Sequence, residues 1–331
     1  MDSTEQTINS STFIITVYVG YFTIITGLIG HIINILVFTQ LKTFRKNQSA
    51  FYLTVGSFVD CWQLIFATTT RTVASTVGYD PTKTSLAWCK LRAYLSISGS
   101  VVLTINQCFS AIDQYLSTNH YPRLRQISTY KLAQRAVSGL LIYAIIYDIP
   151  FLIFEDIEVI CATFNPGFNY FFSFIHFCLI TGFIPIFISS LFSFLAYQNV
   201  RRLVQRHIAL VRRRLDQQLT AMILVRVALF AITTIPYICF RIYQINKPVD
   251  QTNEFAVALD QLMRSCFNAV YTMNNSGGFY VYYATSARFR RQVRRALFQK
   301  NLCKCLTKKV TKIKVAHGIP PVQAIKPAIL N

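Results

Sequence analysis

Four arginines, Arg71, Arg92, Arg241 and Arg264, sit near one common set of ends of long apolar stretches. A guanidinium presents a rigid fork of donors that meets a carboxylate or phosphate in bidentate fashion, so four of them at one mouth can clamp such an anion. The acids Asp148, Glu155, Asp156, Glu158 and Asp260 fall at the same ends. The arginines can therefore instead pair with these acids and hold the mouth in shape, and a ligand bearing a cation can use the acids. Ser96, Tyr237 and Asn268 add neutral hydrogen-bonding groups there. Tyr94, Phe174, Phe177 and Tyr243, with Tyr237, supply apolar or aromatic walls if they turn inward.

Two further ionisable groups, Asp60 and Arg226, lie within apolar stretches, where a charge is expensive and a functional role is the default expectation. Catalysis is not expected. The five histidines, His31, His120, His176, His207 and His317, are scattered without metal-ligand spacing. There is no His-Glu-x-x-His helix and no paired membrane aspartate motif, and no metal or cofactor is called for.

The elements that must position these residues are seven apolar stretches, about Phe13 to Leu41, Phe51 to Thr70, Ala93 to Ile112, Ala136 to Leu152, Phe168 to Val200, Leu219 to Phe240 and Phe255 to Tyr283. Each approaches or exceeds the roughly 20 helical residues that span a hydrocarbon core. Strands of alternating polarity, as a barrel would need, are absent, so the expected fold is an all-α membrane protein, a seven-transmembrane helix bundle. With 53% hydrophobic and 14% charged residues and a mean hydropathy of +0.39, the 331-residue chain leaves no room for a separate water-soluble domain. Seven unequal spans show no internal repeat, which leaves a transporter as a weak alternative.

The net charge of +20 suggests nucleic acid until its placement is considered. Most of the 33 lysines and arginines lie in the connections after stretches one, three and five and in the tail after stretch seven. The acids gather at the opposite ends. The positive-inside rule then puts the tail in the cytoplasm and the N-terminus outside, in the plasma membrane, and a nucleic-acid partner is not expected. Residues 1–12 read as an extracellular tail, 13–284 as the seven-transmembrane bundle, 285–302 as an amphipathic eighth helix on the cytoplasmic face, and 303–331 as a basic disordered cytoplasmic tail. Stretch one reads as an uncleaved signal anchor.

Of nine cysteines, Cys61, Cys108, Cys178, Cys239 and Cys266 fall inside spans, as packing residues. Cys89 and Cys161 share the oxidising outer face and are expected to pair, tying the outer loop over the bundle as a lid. Cys303 and Cys305 follow the basic segment and are candidate palmitoylation sites or plain thiols. Asn9 opens a glycosylation sequon on the outer tail, whereas the same pattern at Asn47 lies inside and should stay unmodified. Phe289, Val293 and Leu297 recur every four residues among arginines, as in a helix lying on membrane lipids. Val204, Ile208, Val211 and Leu215 suggest that helices five and six run on into the cytoplasm.

The chain from about Gly27 to Leu302 resembles the rhodopsin-like (class A) G-protein-coupled receptors. Asn34 and Val37 resemble the family's Gly-Asn-x-x-Val, Asp60 its buried aspartate, and Asp113-Gln114-Tyr115 its Asp-Arg-Tyr triplet at the right distance from Cys89. Pro150, Pro185 and Pro236 fall where the family has prolines. Gly278-Phe279-Tyr280-Val281-Tyr282, followed by Phe289-Arg290, is similar to the Asn-Phe-x-x-Tyr form of FMRFamide-like invertebrate peptide receptors. The departures lie in the switch residues: Gln114 replaces arginine, Thr233-Thr234-Ile235-Pro236 replaces Cys-Trp-x-Pro, Leu140 stands near the usual tryptophan, and Ser193 replaces a tyrosine.

What the resemblance implies is a receptor that binds an extracellular ligand, here expected to be a peptide or other small ligand, and activates a heterotrimeric G protein. A binder that does not couple is the alternative. The family's triplet arginine pairs at rest with its neighbouring acid and with an acid on helix six, a place held here by Asp216. A neutral Gln114 weakens that contact by about half. Arg226 is then expected to supply the missing positive charge to Asp113, or to snorkel to the inner headgroups. Asp60 binds sodium in the family, with Asn34 and Asn274 as possible helpers here. Because Leu103 and Gly278 replace the usual serine and asparagine, a water-filled polar relay is expected instead. Ser96 stands where amine receptors carry an aspartate, so an amine ligand is not expected. Sparse Ser and Thr in the inner connection and tail imply weak phosphorylation-driven arrestin capture.

Overall fold

The computed structural model describes residues 3–41, 44, 47–157, 161–205, 210–246 and 253–298. Six long helices are apolar enough to cross a membrane: α1 Thr4–Gln40, α2 Gln48–Val77, α3 Leu86–Thr118, α4 Tyr130–Phe154, α5 Pro166–Arg202 and α6, whose apolar part is Asp216–Gln244. A seventh, α7, Glu254–Thr285, matches them in length but is more polar, because Asn274, Asn275 and Ser276 are buried toward the bundle. At 1.5 Å per residue its 32 residues span about 48 Å, more than a hydrocarbon core requires. Helix α8, Ala287–Phe298, a two-stranded hairpin, β1 Glu155–Ile157 with β2 Cys161–Thr163, and short helical turns at Pro81–Lys83 and Pro122–Ile127 complete the described elements.

Helix ends follow from local chemistry. Asn47 caps α2 through its side chain, which accepts from the Ala50 amide. Gly78 ends α2 at φ 72°, a conformation that favours glycine. Ser85 caps α3, and Thr129 caps α4. Helix α4 breaks at Asp148 before Pro150, and Pro236, inside α6, leaves the Ile232 carbonyl without its helical donor. Three spans contain wider π-type turns, at Ile15–Val19, Leu64–Thr69 and Phe171–Phe183.

Helix α1 begins well inside the polar stretch expected to be a tail. Its outer half leans on α7, with Thr16 Oγ1 bonded to Ser265 Oγ at 3.2 Å, and Asn9 is exposed on it. The inner core joins Val37, Phe38, Leu219, Met222, Tyr282 and Phe289 from α1, α6, α7 and α8. The α8 stripe is therefore divided. Phe289 and Val293 are buried in protein, and only Leu297 is left exposed to an outside surface. Phe22, Ile25, Ile29, Phe187, Phe194 and Ile232 lie exposed along the outer sides of their spans, as lipid contact requires. The side chains expected to continue α5 and α6 inward, and Cys303 and Cys305, lie outside the described residues.

Candidate functional site: an outer pocket above a buried ion pair

The hairpin covers the outer mouth. Glu155 pairs with Thr163 and Ile157 with Cys161, and Cys161 is bonded to Cys89 at the start of α3 with their Cα atoms 5.7 Å apart. The expected disulfide and lid are present. Beneath lies a cavity of about 510 Å³, within the range of ligand sites. All seven residues expected to meet a ligand line it: Arg71 from α2, Arg92 and Ser96 from α3, Tyr237 and Arg241 from α6, Arg264 and Asn268 from α7. These positions lie up to 197 residues apart by number, yet the helix ends bring them to one chamber.

The aromatic walls are only partly those anticipated. Phe177 and Tyr237 line the cavity, 6.0 Å apart by ring centroids, and Tyr271 stacks on Tyr237 at 4.8 Å. Tyr94 instead turns to α4, where its hydroxyl donates to the Ile145 carbonyl, and Tyr243 is exposed. Phe174 packs on Tyr170 outside the cavity lining. Inward or outward direction on a helix that is apolar on all sides cannot be assigned from residue type, which is why these three diverge from expectation.

The arginines differ in what they touch. Arg264 is paired with Asp260 at 2.9 Å. Asp260 also accepts from Gln244, whose Oε1 faces Arg241 Nη1 at 3.4 Å. The Arg241 guanidinium lies 5.7 Å from the Phe177 ring centre, a cation–π distance. Glu155 also lines the cavity. Burial pushes its carboxyl above the usual range, opposed by the hydrogen bond from Thr163 and by the charge of Arg92.

Below the cavity the ionisable groups of the membrane core meet. Arg226 lays Nη2 on both oxygens of Asp60 at 3.1 Å, and its Nη1 donates to the Asn274 carbonyl. Arg226 therefore neither reaches Asp113 nor snorkels. It neutralises the buried Asp60 carboxylate, because an unpaired charge in the core is far more costly than a paired one. His31 Nε2 donates to the Asn275 carbonyl at 2.6 Å and lies 3.7 Å from Asp60. Gly278 makes this assembly possible: a Cβ there would stand 3.1 Å from His31 Cε1, 3.8 Å from Asp60 Oδ2 and 3.9 Å from Arg226 Cζ.

The polar groups around Asp60 thus gather on the Arg226 guanidinium. A small cavity of about 30 Å³ beside Asp60 and Arg226, edged by Asn106, Gln107 and Ser110, has room for a water. Asn274 contributes its main-chain carbonyl rather than its side chain, and Asn34 is buried without a hydrogen bond to the described residues. In the sequence His31 reads as one of five scattered histidines. The available signal was an imidazole inside an apolar span, which needs a partner as any intramembrane polar group does.

At the inner end, Gln114 links three helices. Its Nε2 donates to the Asp216 main-chain carbonyl at 3.2 Å and to Thr220 Oγ1 at 2.6 Å on α6. Ser49 of α2 has one proton for two acceptors, Asp113 Oδ2 at 2.8 Å and Gln114 Oε1 at 2.9 Å. Asp113 also accepts from Ser128 at 2.6 Å. Among the described residues no base lies within ion-pair distance of Asp113, so hydroxyls do the work of the absent cation. Tyr115 meets Phe192 edge-on at 5.5 Å, and Tyr282 packs between Phe38 and Phe289.

The chain thus forms a multi-pass helical bundle with a lidded pocket, a buried ion pair in its core and a polar latch at the opposite end. The chain belongs to the 7 transmembrane receptor family (rhodopsin family), which it matches over residues 5–275. Compared with curated proteins it matches none.

Proposed function

We propose that the chain is a plasma-membrane receptor with its N-terminus outside, which binds an extracellular peptide-like ligand in the lidded pocket and activates a heterotrimeric G protein. The supporting observation is the route from pocket to core along α7. Asn275 lines the pocket and its carbonyl holds His31, while the carbonyl of adjacent Asn274 holds Arg226 of α6. A ligand that draws this turn of α7 outward weakens the hold on α6 and favours the state in which α6 leaves Gln114 and opens a cytoplasmic cleft. Binding and opening are then two sides of one equilibrium. The same reading makes Asn9 the modified sequon and residues 303–331 a cytoplasmic tail lipidated at Cys303 and Cys305.

The test is nucleotide exchange on a panel of G proteins in membranes holding the native chain, challenged with pooled amidated and acidic peptides, beside its Gln114→Arg variant. Ligand-dependent exchange by the native chain is expected. A specific observation favours a second reading, a binder without coupling: the residue that swings to meet a G protein in the family is the neutral Gln114. Silence of the native chain toward every G protein, with a peptide demonstrably bound, selects that second reading.

A further inference from the structure

Among the described residues, the pocket carries more positive charge than the side chains around it pair. Its lining includes four arginines and one acid, Glu155. Arg264 is satisfied by Asp260, but among the described residues no carboxylate lies within ion-pair distance of Arg71, Arg92 or Arg241. The Nε donors of Arg92 and Arg241 are buried and make no hydrogen bond to the described residues. Arg71 lies close enough to Arg92, Arg264 and Tyr237 to interact with them electrostatically. Like charges gathered in a half-buried site repel, and buried guanidinium donors left without acceptors are costly, so an entering anion lowers the energy of the site.

Deepening the receptor reading, on which this rests, we propose that the pocket takes an anionic group of the ligand, a carboxylate or a phosphate, held by Arg71, Arg92 and Arg241. Among the described residues a cationic group would meet one lining acid, Glu155, already bonded to Thr163 Oγ1 at 3.1 Å, against three guanidiniums with no carboxylate at ion-pair distance. The volume admits a small molecule or the end of a peptide rather than a whole one. Phe172, Phe177, Tyr237 and Tyr271 offer apolar area to the part next to the anion. A second recess of about 810 Å³ shares Arg71 and Arg92 but is also lined by Asp80 and Lys83 and lacks Arg241. Dependence on Arg241 therefore distinguishes the two.

The experiment uses the full chain purified in lipid nanodiscs and reads thermal unfolding. The probes are inorganic phosphate, succinate, and peptide pairs identical except for a free-acid or amide C-terminus. Expected is stabilisation by an anionic probe, with the free-acid peptide exceeding its amide if the source is a carboxylate and phosphate exceeding succinate if it is a phosphate. Arg71→Gln, Arg92→Gln and Arg241→Gln each weaken that binding roughly tenfold or more, and the lysine variants, which keep charge but lose the fork, weaken it less. The unliganded glutamine variants unfold at the native temperature or above it, because repulsion is relieved, so lost binding is not lost folding. Binding of the amide and of cationic peptides that equals or exceeds that of every anionic probe, phosphate included, overturns the proposal. So does anion binding unaffected by Arg241→Gln, or no stabilisation by any anion. Anion binding without G-protein exchange in the preceding test sinks the coupling reading and leaves this one standing.

Discussion

Asp60 on α2 and Arg226 on α6, 166 residues apart, form a forked ion pair with one guanidinium nitrogen 3.1 Å from each carboxylate oxygen. Both side chains are buried. Removing one partner strands the other in the membrane core, which costs roughly 3–5 kcal/mol, whereas replacing both by apolar groups is often close to neutral. Arg226→Leu and Asp60→Leu should each lower the unfolding temperature of the purified receptor and abolish signalling. The double variant should recover most of the stability but not the signalling. Equal losses from single and double variants would show that the pair is not coupled.

The same pair predicts indifference to sodium. The Asp60 carboxylate already faces a cation carried by α6, so a free ion must displace a tethered one to bind. Exchanging sodium for a bulky organic cation should leave ligand affinity and unfolding temperature unchanged in the native chain. Arg226→Leu should gain sodium-dependent stabilisation. A native response to sodium would mean that Arg226 leaves Asp60 readily.

Gln114 spans α3 to α6 through neutral hydrogen bonds alone, to the Asp216 carbonyl and Thr220 Oγ1. One such bond is worth about 0.5–1.5 kcal/mol net, so Thr220→Ala should raise ligand-free nucleotide exchange about 2- to 10-fold. Gln114→Arg places a cation beside Asp113, which now has only the Ser49 and Ser128 hydroxyls. That variant should lower ligand-free exchange. Baseline GTP uptake in membranes reads both.

What the sequence disclosed and what it hid divide along physical lines. Spans, the Cys89 to Cys161 bridge and the pocket arginines were legible, because charge and sulfur near the ends of apolar stretches have few places to go. Arg71, Arg92, Arg241 and Arg264 needed no contact information to be grouped, only a shared end of the bundle. The core was less legible. Whether Arg226 met Asp113, lipid headgroups or Asp60 depended on how far along α6 and toward which neighbour it turned, and apolar flanks give no phase for that rotation. Gly278 read as a lost asparagine, whereas the folded chain uses the missing side chain as the space in which His31, Asp60 and Arg226 meet.

Glu155 predicts a pH response at the mouth. Burial holds its carboxyl above the ordinary glutamate range, despite Thr163 and Arg92. The folded state thus binds this proton more readily than the unfolded chain, so its contribution to stability falls as pH rises between the ordinary and the raised value. Protonation also removes the charge of the one acid that lines the pocket among the described residues. Affinity for an anionic ligand should therefore rise as pH falls through the raised range, until the ligand's own acid protonates. Glu155→Gln should bind more tightly and lose that pH dependence, as measured by binding titrations at stepped pH. An unchanged slope in the variant would place the titrating group elsewhere.

Gly278 offers the most direct test of the core. A methyl group there stands 3.1 Å from His31 Cε1, closer than an ordinary carbon contact. His31 is not free to withdraw, since its Nε2 is held by the Asn275 carbonyl at 2.6 Å. Gly278→Ala should cost about 1–3 kcal/mol as an overpacked site. Gly278→Asn should cost more, because its amide reaches between Asp60 and Arg226 and competes for their hydrogen bonds. If the clash with the imidazole is the cause, His31→Ala should relieve most of the cost of Gly278→Ala, so that the two changes together unfold little below His31→Ala alone. Simple additivity in this cycle, read by thermal unfolding, would place the strain at Asp60 and Arg226 instead, and the accompanying loss of signalling would then track the ion pair rather than the ring.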